Sequence, residues 1–80
     1  MINVQVQYFA ILREQRGVSQ EQISTAATTP AGLYEELRAK FPFTLPVDRI
    51  RAAVNDAFVA SDRILREGDR IVFIPPVAGG

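Results

Sequence analysis

The feature that most constrains this fold is a run of four apolar residues near the carboxyl end of the chain. In an extended strand, Ile71 and Phe73 point to one face of a sheet, and Val72 and Ile74 point to the other. Strands buried on both faces normally have helices packed against each side. The chain has one substantial helical pattern, over residues 30–41, so this helix leaves the second face of the strand to be covered by something else.

Two candidates remain for covering that second face. Exposed apolar surface is typical of an interface with another protein, and the pattern favours such a partner. The alternative is that the predicted short helix at residues 9–16 or the connection at residues 42–50 covers it.

The first half of the chain predicts two strands with a short helix between them. Alternation of apolar and polar residues from Ile2 to Tyr8 predicts a strand with one buried face. Residues 22–25 predict a short strand that pairs back onto it. The helix between them places three side chains on a common face and ends at a natural stop, Gly17: these side chains are Phe9, Leu12 and Arg16.

The main helix has clear start signals. Thr29 suits the N-cap, and Pro30 suits the first helical position because its missing N–H would have no partner there. The apolar positions then recur every four residues: Leu33, Leu37 and Phe41, with Tyr34 beside them.

Two turns organise the second half of the chain. Asn55-Asp56 tolerates left-handed backbone and separates short strands at residues 52–55 and 58–59. Residues 67–69, Glu-Gly-Asp, form the second turn and lead into the apolar strand. The predicted class is therefore α+β, with short strands around one main helix.

Composition excludes many classes of chemistry. The 80 residues include no cysteine, histidine or tryptophan, which excludes disulfides, zinc sites of the Cys/His kind and histidine or cysteine catalysis. Nine basic residues balance nine acidic ones, so no broad basic surface for nucleic acid or membrane is expected. The sequence shows neither a secretory signal nor about 20 consecutive apolar residues. We expect a cytoplasmic protein of one domain.

The residues that could take part in a reaction are at the carboxyl end, where Gly79 and Gly80 follow the Pro75-Pro76 pair. Prolines stiffen the exit from the sheet, and glycines pass through a channel too narrow for other residues. The terminal carboxylate is ionised at neutral pH. It can attack the α-phosphate of a nucleotide and form an acyl-adenylate, which then reacts with a thiol, a persulfide or an amine.

Four motifs carry a family resemblance. Residues 6–14, VQYFAILRE, resemble an opening written Y-F-A-x-L-R-E, and residues 53–55 match A-V-N. Residues 67–69 resemble a D-G-D turn, and residues 73–80, FIPPVAGG, resemble the ending F-x-P-P-V-x-G-G. These motifs, at these spacings, resemble the small, sulfur-carrying subunits of molybdopterin synthase over nearly the whole chain.

The resemblance implies a ubiquitin-like β-grasp fold, a mixed sheet packed on one main helix, followed by an extended Gly-Gly tail. We expect residues 1–76 to form the domain and residues 77–80 the tail. The resemblance further implies that a ubiquitin-activating type of adenylyltransferase uses ATP to adenylate Gly80, and that a sulfur donor protein converts it to a thiocarboxylate. The synthase large subunit, in a heterotetramer, then transfers the sulfur to cyclic pyranopterin monophosphate, forming molybdopterin. The chain would be a non-catalytic sulfur-donor subunit without a permanently bound cofactor or metal.

The predicted site residues form two groups. The tail group consists of Gly80, which is modified, and the residues that thread it into the partner: Val77, Ala78 and Gly79. The partner-binding group is expected on the outer sheet face and at its exit: Phe58, Val72, Ile74, Pro75 and Pro76.

Three other functions remain open. A sulfur carrier for thiazole synthesis in the thiamine pathway uses the same fold and tail, although the Y-F-A-x-L-R-E opening favours the molybdopterin branch. A ubiquitin-like modifier would instead acylate a lysine through Gly80, and adducts of higher mass would reveal it. A plain interaction module would tolerate truncation of the tail in every assay.

Overall fold

The computed structural model describes residues 1–76. The elements follow in this order: β1 (Ile2–Tyr8), α1 (Ala10–Arg16), β2 (Gln20–Thr25), α2 (Pro30–Lys40), a 3-10 turn (Val47–Arg49), β3 (Arg51–Val54), β4 (Ala57–Val59) and β5 (Arg70–Ile74). The predicted strands, the short helix and the main helix are all present. Among the residues described, no helix has both the length and the apolar character needed to cross a membrane.

The five strands form one mixed sheet in the order β2-β1-β5-β3-β4. β1 and β5 run parallel at its centre, and the other neighbours are antiparallel. The carboxyl ends of β1 and β5 therefore meet at one edge of the sheet. Together with α2 on one face, this is the β-grasp fold that the resemblance implied, and the α+β class is confirmed.

The core lies between α2 and one face of the sheet. Ile71 and Phe73 are 0% and 1% exposed, and the ring of Phe73 meets the ring of Tyr34 from α2 at 5.4 Å between centroids. Val72 and Ile74 lie on the opposite face and are half-buried. The alternation predicted for this strand is therefore observed.

The start of α2 follows the predicted capping pattern. Thr29 Oγ1 accepts a hydrogen bond of 3.1 Å from the Gly32 N–H, and Pro30 occupies the first turn. A Cβ at position 32 would stand 3.2 Å from Thr29 Oγ1, which gives the structural reason for glycine in this turn. Leu33, Tyr34 and Leu37 are buried, and Phe41 is half-buried at the carboxyl end.

The expectation that Phe9 shares a helical face with Leu12 is wrong. Leu12 is fully buried, but Phe9 is 43% exposed. The helix begins at Ala10, which adopts a left-handed φ of 52°, so Phe9 is extended and precedes the helix. The backbone turn at Ala10 therefore sends these two side chains in different directions.

The A-V-N and G-D motifs meet at the start of β5. Asp69 is 7% exposed and accepts hydrogen bonds from Asn55 Nδ2 at 3.0 Å and from the Arg66 N–H at 2.9 Å. Asn55 Oδ1 in turn accepts from the Arg70 N–H at 3.0 Å. Burial alone would raise the pKa of Asp69, but these hydrogen bonds and the Arg63 guanidinium outweigh it and lower that pKa. This Asn55–Asp69 network joins the β3–β4 turn to β5.

Candidate functional site

The predicted tail residues, Val77, Ala78, Gly79 and Gly80, lie outside the described residues 1–76. The candidate site is therefore the surface from which the tail departs.

Three of the predicted partner-binding residues share the outer sheet face. Ala53 pairs with Phe58 on one side and with Val72 on the other, so these three side chains form one row across the sheet. Ile74 pairs with Arg51 one row further along. Phe58 is 60% exposed, and the Arg51 guanidinium lies 4.4 Å from the centroid of its ring. The row presents an apolar surface with a stacked cation at its edge.

A groove of about 700 Å³ lies where β1 and β5 end. We call it the exit groove, and most of its lining is apolar: Phe9, Ile11, Leu45, Ile74, Pro75 and Pro76. Ala10 and Glu14 complete the lining, so the groove has one charged side chain. Because Ile74 belongs both to the groove and to the outer face, the two surfaces are continuous.

Sequence reasoning missed Phe9, Ile11 and Leu45 as candidate site residues. Phe9 and Ile11 are 43% and 40% exposed, a large exposure for two apolar residues so close in the chain. The available signal was the family opening Y-F-A-x-L-R-E, in which the Tyr8 ring is buried while the next residue points outward. Leu45 gave no signal because its place in the groove depends on the path of residues 41–46.

One segment that lines the groove, α1, is joined to β1 and β2 by a polar cluster around Glu21. Arg16 makes two hydrogen bonds to the Glu21 carboxylate, from Nε at 2.7 Å and from Nη2 at 2.6 Å. The hydroxyl of the buried Tyr8 donates to the same carboxylate at 2.7 Å. The hydrogen bonds from Arg16 lower the pKa of Glu21, whereas burial raises the pKa of Tyr8 well above its usual range. The cluster therefore holds an ionised carboxylate against a neutral phenol.

The surface has the features of a docking site. Within residues 1–76, no group of three or more acidic side chains is placed to share a metal ion. Every buried side-chain nitrogen or oxygen in that part of the chain has a hydrogen-bond partner. The described surface can thus bind and orient, while the group with reactive potential is the terminal carboxylate predicted from the sequence.

Comparison with known proteins bears on that carboxylate. The profile of the ThiS family matches residues 6–80, which include the Gly-Gly ending. The chain belongs to the ThiS family. Members of this family carry sulfur as a carboxyl-terminal thiocarboxylate.

Other proteins are similar to this chain over nearly its whole length. The chain is 35% identical to the molybdopterin synthase sulfur carrier subunit of Mycobacterium tuberculosis over 83 residues, covering all of both chains. It is 31% identical to the subunit of the same name from Escherichia coli over 80 residues, covering 96% of this chain and 99% of that one.

Solved structures agree with this fold. A putative molybdopterin converting factor subunit 1 from Pyrococcus furiosus is 30% identical and covers 96% of this chain and 100% of its own, with a TM-score of 0.79. A protein–protein complex of subunits 1 and 2 of molybdopterin-converting factor from Helicobacter pylori includes a chain that is 26% identical, with a TM-score of 0.68 and coverage of 99% and 100%. The small archaeal modifier protein 1 from Haloferax volcanii, at 23% identity and a TM-score of 0.76 over 98% of this chain and 99% of its own, shares the fold.

Proposed function

We propose that this chain is the sulfur carrier of molybdopterin synthase. Its Gly80 is adenylated, converted to a thiocarboxylate and used as the sulfur donor to cyclic pyranopterin monophosphate in the large subunit. The observation that carries the proposal is the continuous apolar surface formed by the outer sheet face and the exit groove. This surface includes Pro75 and Pro76, the residues that precede the Val-Ala-Gly-Gly sequence. Whole-length relatives named as molybdopterin synthase sulfur carriers support this branch.

The chemistry of the carrier takes place at the terminal carboxylate. One carboxylate oxygen attacks the α-phosphate of ATP and displaces pyrophosphate. The outer sulfur of a persulfide on the donor protein then attacks the acyl carbon, and AMP leaves. A thiol next attacks the donor's own sulfur in the resulting acyl disulfide, so that a disulfide forms with the donor and the thiocarboxylate is released. After sulfur transfer to the pterin, water supplies the oxygen that restores the carboxylate. The adenylyltransferase and the large subunit provide the acid–base groups for these steps.

The described residues contribute binding and direction. The outer face and the exit groove bind the large subunit, with Phe58, Val72 and Ile74 as the apolar anchors of the outer face. Pro75 and Pro76 lack backbone N–H groups and fix φ, so they neither extend the sheet nor let the tail turn back freely. The carrier thereby delivers the tail, residues 77–80, from a defined point into the active site of its partner.

The proposed assembly is a heterotetramer with the large subunit. The Helicobacter pylori complex of subunits 1 and 2 supports this partner, because its small chain matches nearly all of this one. The same outer surface is available to the adenylyltransferase in a separate step, since sulfur loading and sulfur delivery follow one another.

A carrier for thiazole synthesis and a protein modifier are the two alternatives. Membership of the ThiS family is compatible with the first, and the likeness to small archaeal modifier protein 1 concerns the fold alone. The names of the whole-length relatives favour the molybdopterin branch over both.

Two tail variants test the proposal. Deletion of Gly80 shortens the tail by about 3.3–3.6 Å, and one residue added after Gly80 moves the carboxylate outward by the same distance. Because a misplacement of about 1 Å can cost on the order of a hundredfold in rate, both variants should lose molybdopterin formation while keeping the wild-type melting temperature.

Intact mass spectrometry provides the direct measurement. The wild-type chain from cells with an active sulfur-transfer pathway should carry one sulfur in place of one oxygen at Gly80. Molybdopterin formation by either tail variant would overturn the proposal. Sulfur loading without molybdopterin formation would favour the thiazole branch, and lysine adducts of the chain would favour the modifier.

A further inference from the structure

Helix α1 contributes Ala10, Ile11 and Glu14 to the exit groove, and a single buried side chain fixes it to the core. The helix has seven residues, and helices of this length are unstable in isolation. Its first residue, Ala10, has a left-handed φ of 52°, a conformation that residues other than glycine adopt unfavourably. The N-cap residue Phe9 makes no side-chain cap, and Leu12 is the one buried residue of the helix. The orientation of α1 therefore depends on contacts at its other end.

Those contacts are concentrated at Arg16. Its guanidinium forms a two-bond pair with the Glu21 carboxylate of β2, and the Tyr8 hydroxyl of β1 completes the cluster. The Arg16 and Glu21 side chains are 23% and 21% exposed, so the pair is sheltered from solvent. Two bonds in a fixed plane restrain rotation as well as distance, which a single ion pair does not.

The same end of α1 is also joined to the segment that leads to Leu45. The Arg16 guanidinium carbon lies 4.0 Å from the centroid of the Phe41 ring. Gln15 Nε2 donates to Thr44 Oγ1 at 2.9 Å, and Gln15 Oε1 accepts from the Thr44 N–H at 3.3 Å. Two lining segments of the groove, α1 and residues 41–45, are thus connected through Gln15 and Arg16.

We propose that Arg16 and Glu21 are positioning residues that orient the α1 side of the exit groove for binding the partner, although neither residue lines the groove. The identity of the partner, the synthase large subunit, rests on the proposed function. When the pair is removed, α1 is free to relax the strained turn at Ala10, and Phe9 and Ile11 lose their fixed place in the binding surface.

Three variants and one matched control test this role. Arg16→Ala removes the pair, Arg16→Lys keeps the charge but not the planar two-bond geometry, and Glu21→Gln keeps the side-chain shape. The control is Arg38→Ala, which removes an ion pair on α2 whose N···O distance is 3.7 Å.

The readouts are affinity for the large subunit by calorimetry and amide exchange of residues 10–16, both at a temperature where each variant is fully folded. Arg16→Ala should lose at least tenfold in affinity and show faster exchange in α1. Arg16→Lys should recover part of the affinity, Glu21→Gln should weaken binding, and Arg38→Ala should match the wild type.

The outcomes separate this inference from the proposed function. If the wild-type chain does not bind the large subunit, the proposed function fails. If the wild type binds and folded Arg16→Ala binds equally tightly, the pair serves stability alone and the positioning role is overturned. Should Arg16→Ala fail to fold, Glu21→Gln decides the question, because it keeps the size of the side chain and the contact with Tyr8.

Discussion

The two ends of β5 differ in the polarity of the side chains around them. At its start, the buried carboxylate of Asp69 is enclosed by hydrogen bonds from Asn55 and from the Arg66 backbone. At its end, Ile74 and the two following prolines line an open groove with few polar groups. One end is closed by hydrogen bonds within the chain, and the other leaves apolar surface for another protein to cover.

This contrast assigns different roles to two pairs of family motifs. The polar residues of the A-V-N and G-D motifs, Asn55 and Asp69, are of a kind often associated with function, yet in this structure they hold β3 to β5. The Y-F-A and F-I-P-P segments look like ordinary core and strand-end residues, yet every residue in them except the buried Tyr8 and Phe73 lines the exposed groove. Stability should therefore respond to changes at the first end, and partner binding to changes at the second.

The largest effect on stability is expected for Asp69→Ala at the closed end. The change leaves Asn55 Nδ2 and the Arg66 N–H without their acceptor, and hydrogen bonds to charged groups contribute about 1.5–3 kcal/mol each. We expect a loss of about 3 kcal/mol in the free energy of unfolding, measured by urea titration. Glu35→Ala, which removes an exposed carboxylate on α2, should change that free energy by less than about 0.5 kcal/mol. Equal losses in the two variants would contradict the role of the network.

The largest effect on binding is expected for Ile74→Glu at the open end. A carboxylate placed among the apolar anchors should weaken binding of the large subunit by about 2 kcal/mol or more, or roughly thirtyfold, while the domain stays folded. Ile64→Glu is the matched control, because Ile64 is 60% exposed and does not line the groove. Normal binding by Ile74→Glu, or its unfolding, would show that Ile74 does not belong to the partner surface.

A smaller effect is expected when Pro75 and Pro76 are both replaced by alanine. The variant regains two backbone donors and loses the fixed φ angles, so the tail leaves the sheet in a less defined direction. Sulfur transfer should slow while the melting temperature changes little. A large loss of stability with an unchanged transfer rate would mean that the prolines serve the fold.

Acid should weaken both the Asp69 network at the start of β5 and the Glu21 cluster that holds α1. The pKa values of Asp69 and Glu21 are lowered in the folded chain, so their contributions are complete above the ordinary carboxyl pKa of about 4 and are lost as the pH falls through the lowered values. Unfolding free energies measured from pH 6 down to pH 2 should fall steeply below pH 4. Asp69→Asn should flatten that dependence more than Glu35→Gln, and an unchanged profile in Asp69→Asn would contradict this account.

Sequence reasoning succeeded where one local rule decides the outcome. Alternation placed Ile71 and Phe73 inside, and the Thr29-Pro30 signal placed the start of α2. It could not find the Asn55–Asp69 contact, because no local rule joins residues separated by 14 positions. It missed Phe9 because helical periodicity was extended one residue too early, across a backbone turn that periodicity does not show.

The groove also could not be predicted from local sequence patterns. Its lining comes from three separate parts of the chain. Residues 9–14 and 74–76 meet through the parallel pairing of β1 with β5, and residue 45 follows Thr44, which is hydrogen-bonded to Gln15 of α1. The predicted partner-binding roles of Phe58, Val72 and Ile74 remain predictions, although the structure places the three on the face expected for them.

The smallest expected effects come from backbone strain, which can be compared between the start and the end of β5. Gly68, at the closed end, and Ala10, at the open end, both adopt left-handed φ angles, 83° and 52°. A Cβ at position 68 would meet no atom within 4 Å, so Gly68→Ala should cost about 1 kcal/mol through conformation alone.

Ala10→Gly should act in the opposite direction, because glycine removes the left-handed penalty of about 1–2 kcal/mol, partly offset by about 0.5–1 kcal/mol of extra freedom in the unfolded chain. We therefore expect a gain of up to about 1 kcal/mol in the free energy of unfolding. The same variant should bind the large subunit no more tightly, since the added freedom lies in the surface that α1 presents. A loss of stability in Ala10→Gly comparable to that in Gly68→Ala would show that Ala10 is not strained. The surroundings of the two ends of β5 would then differ in polarity but not in backbone strain.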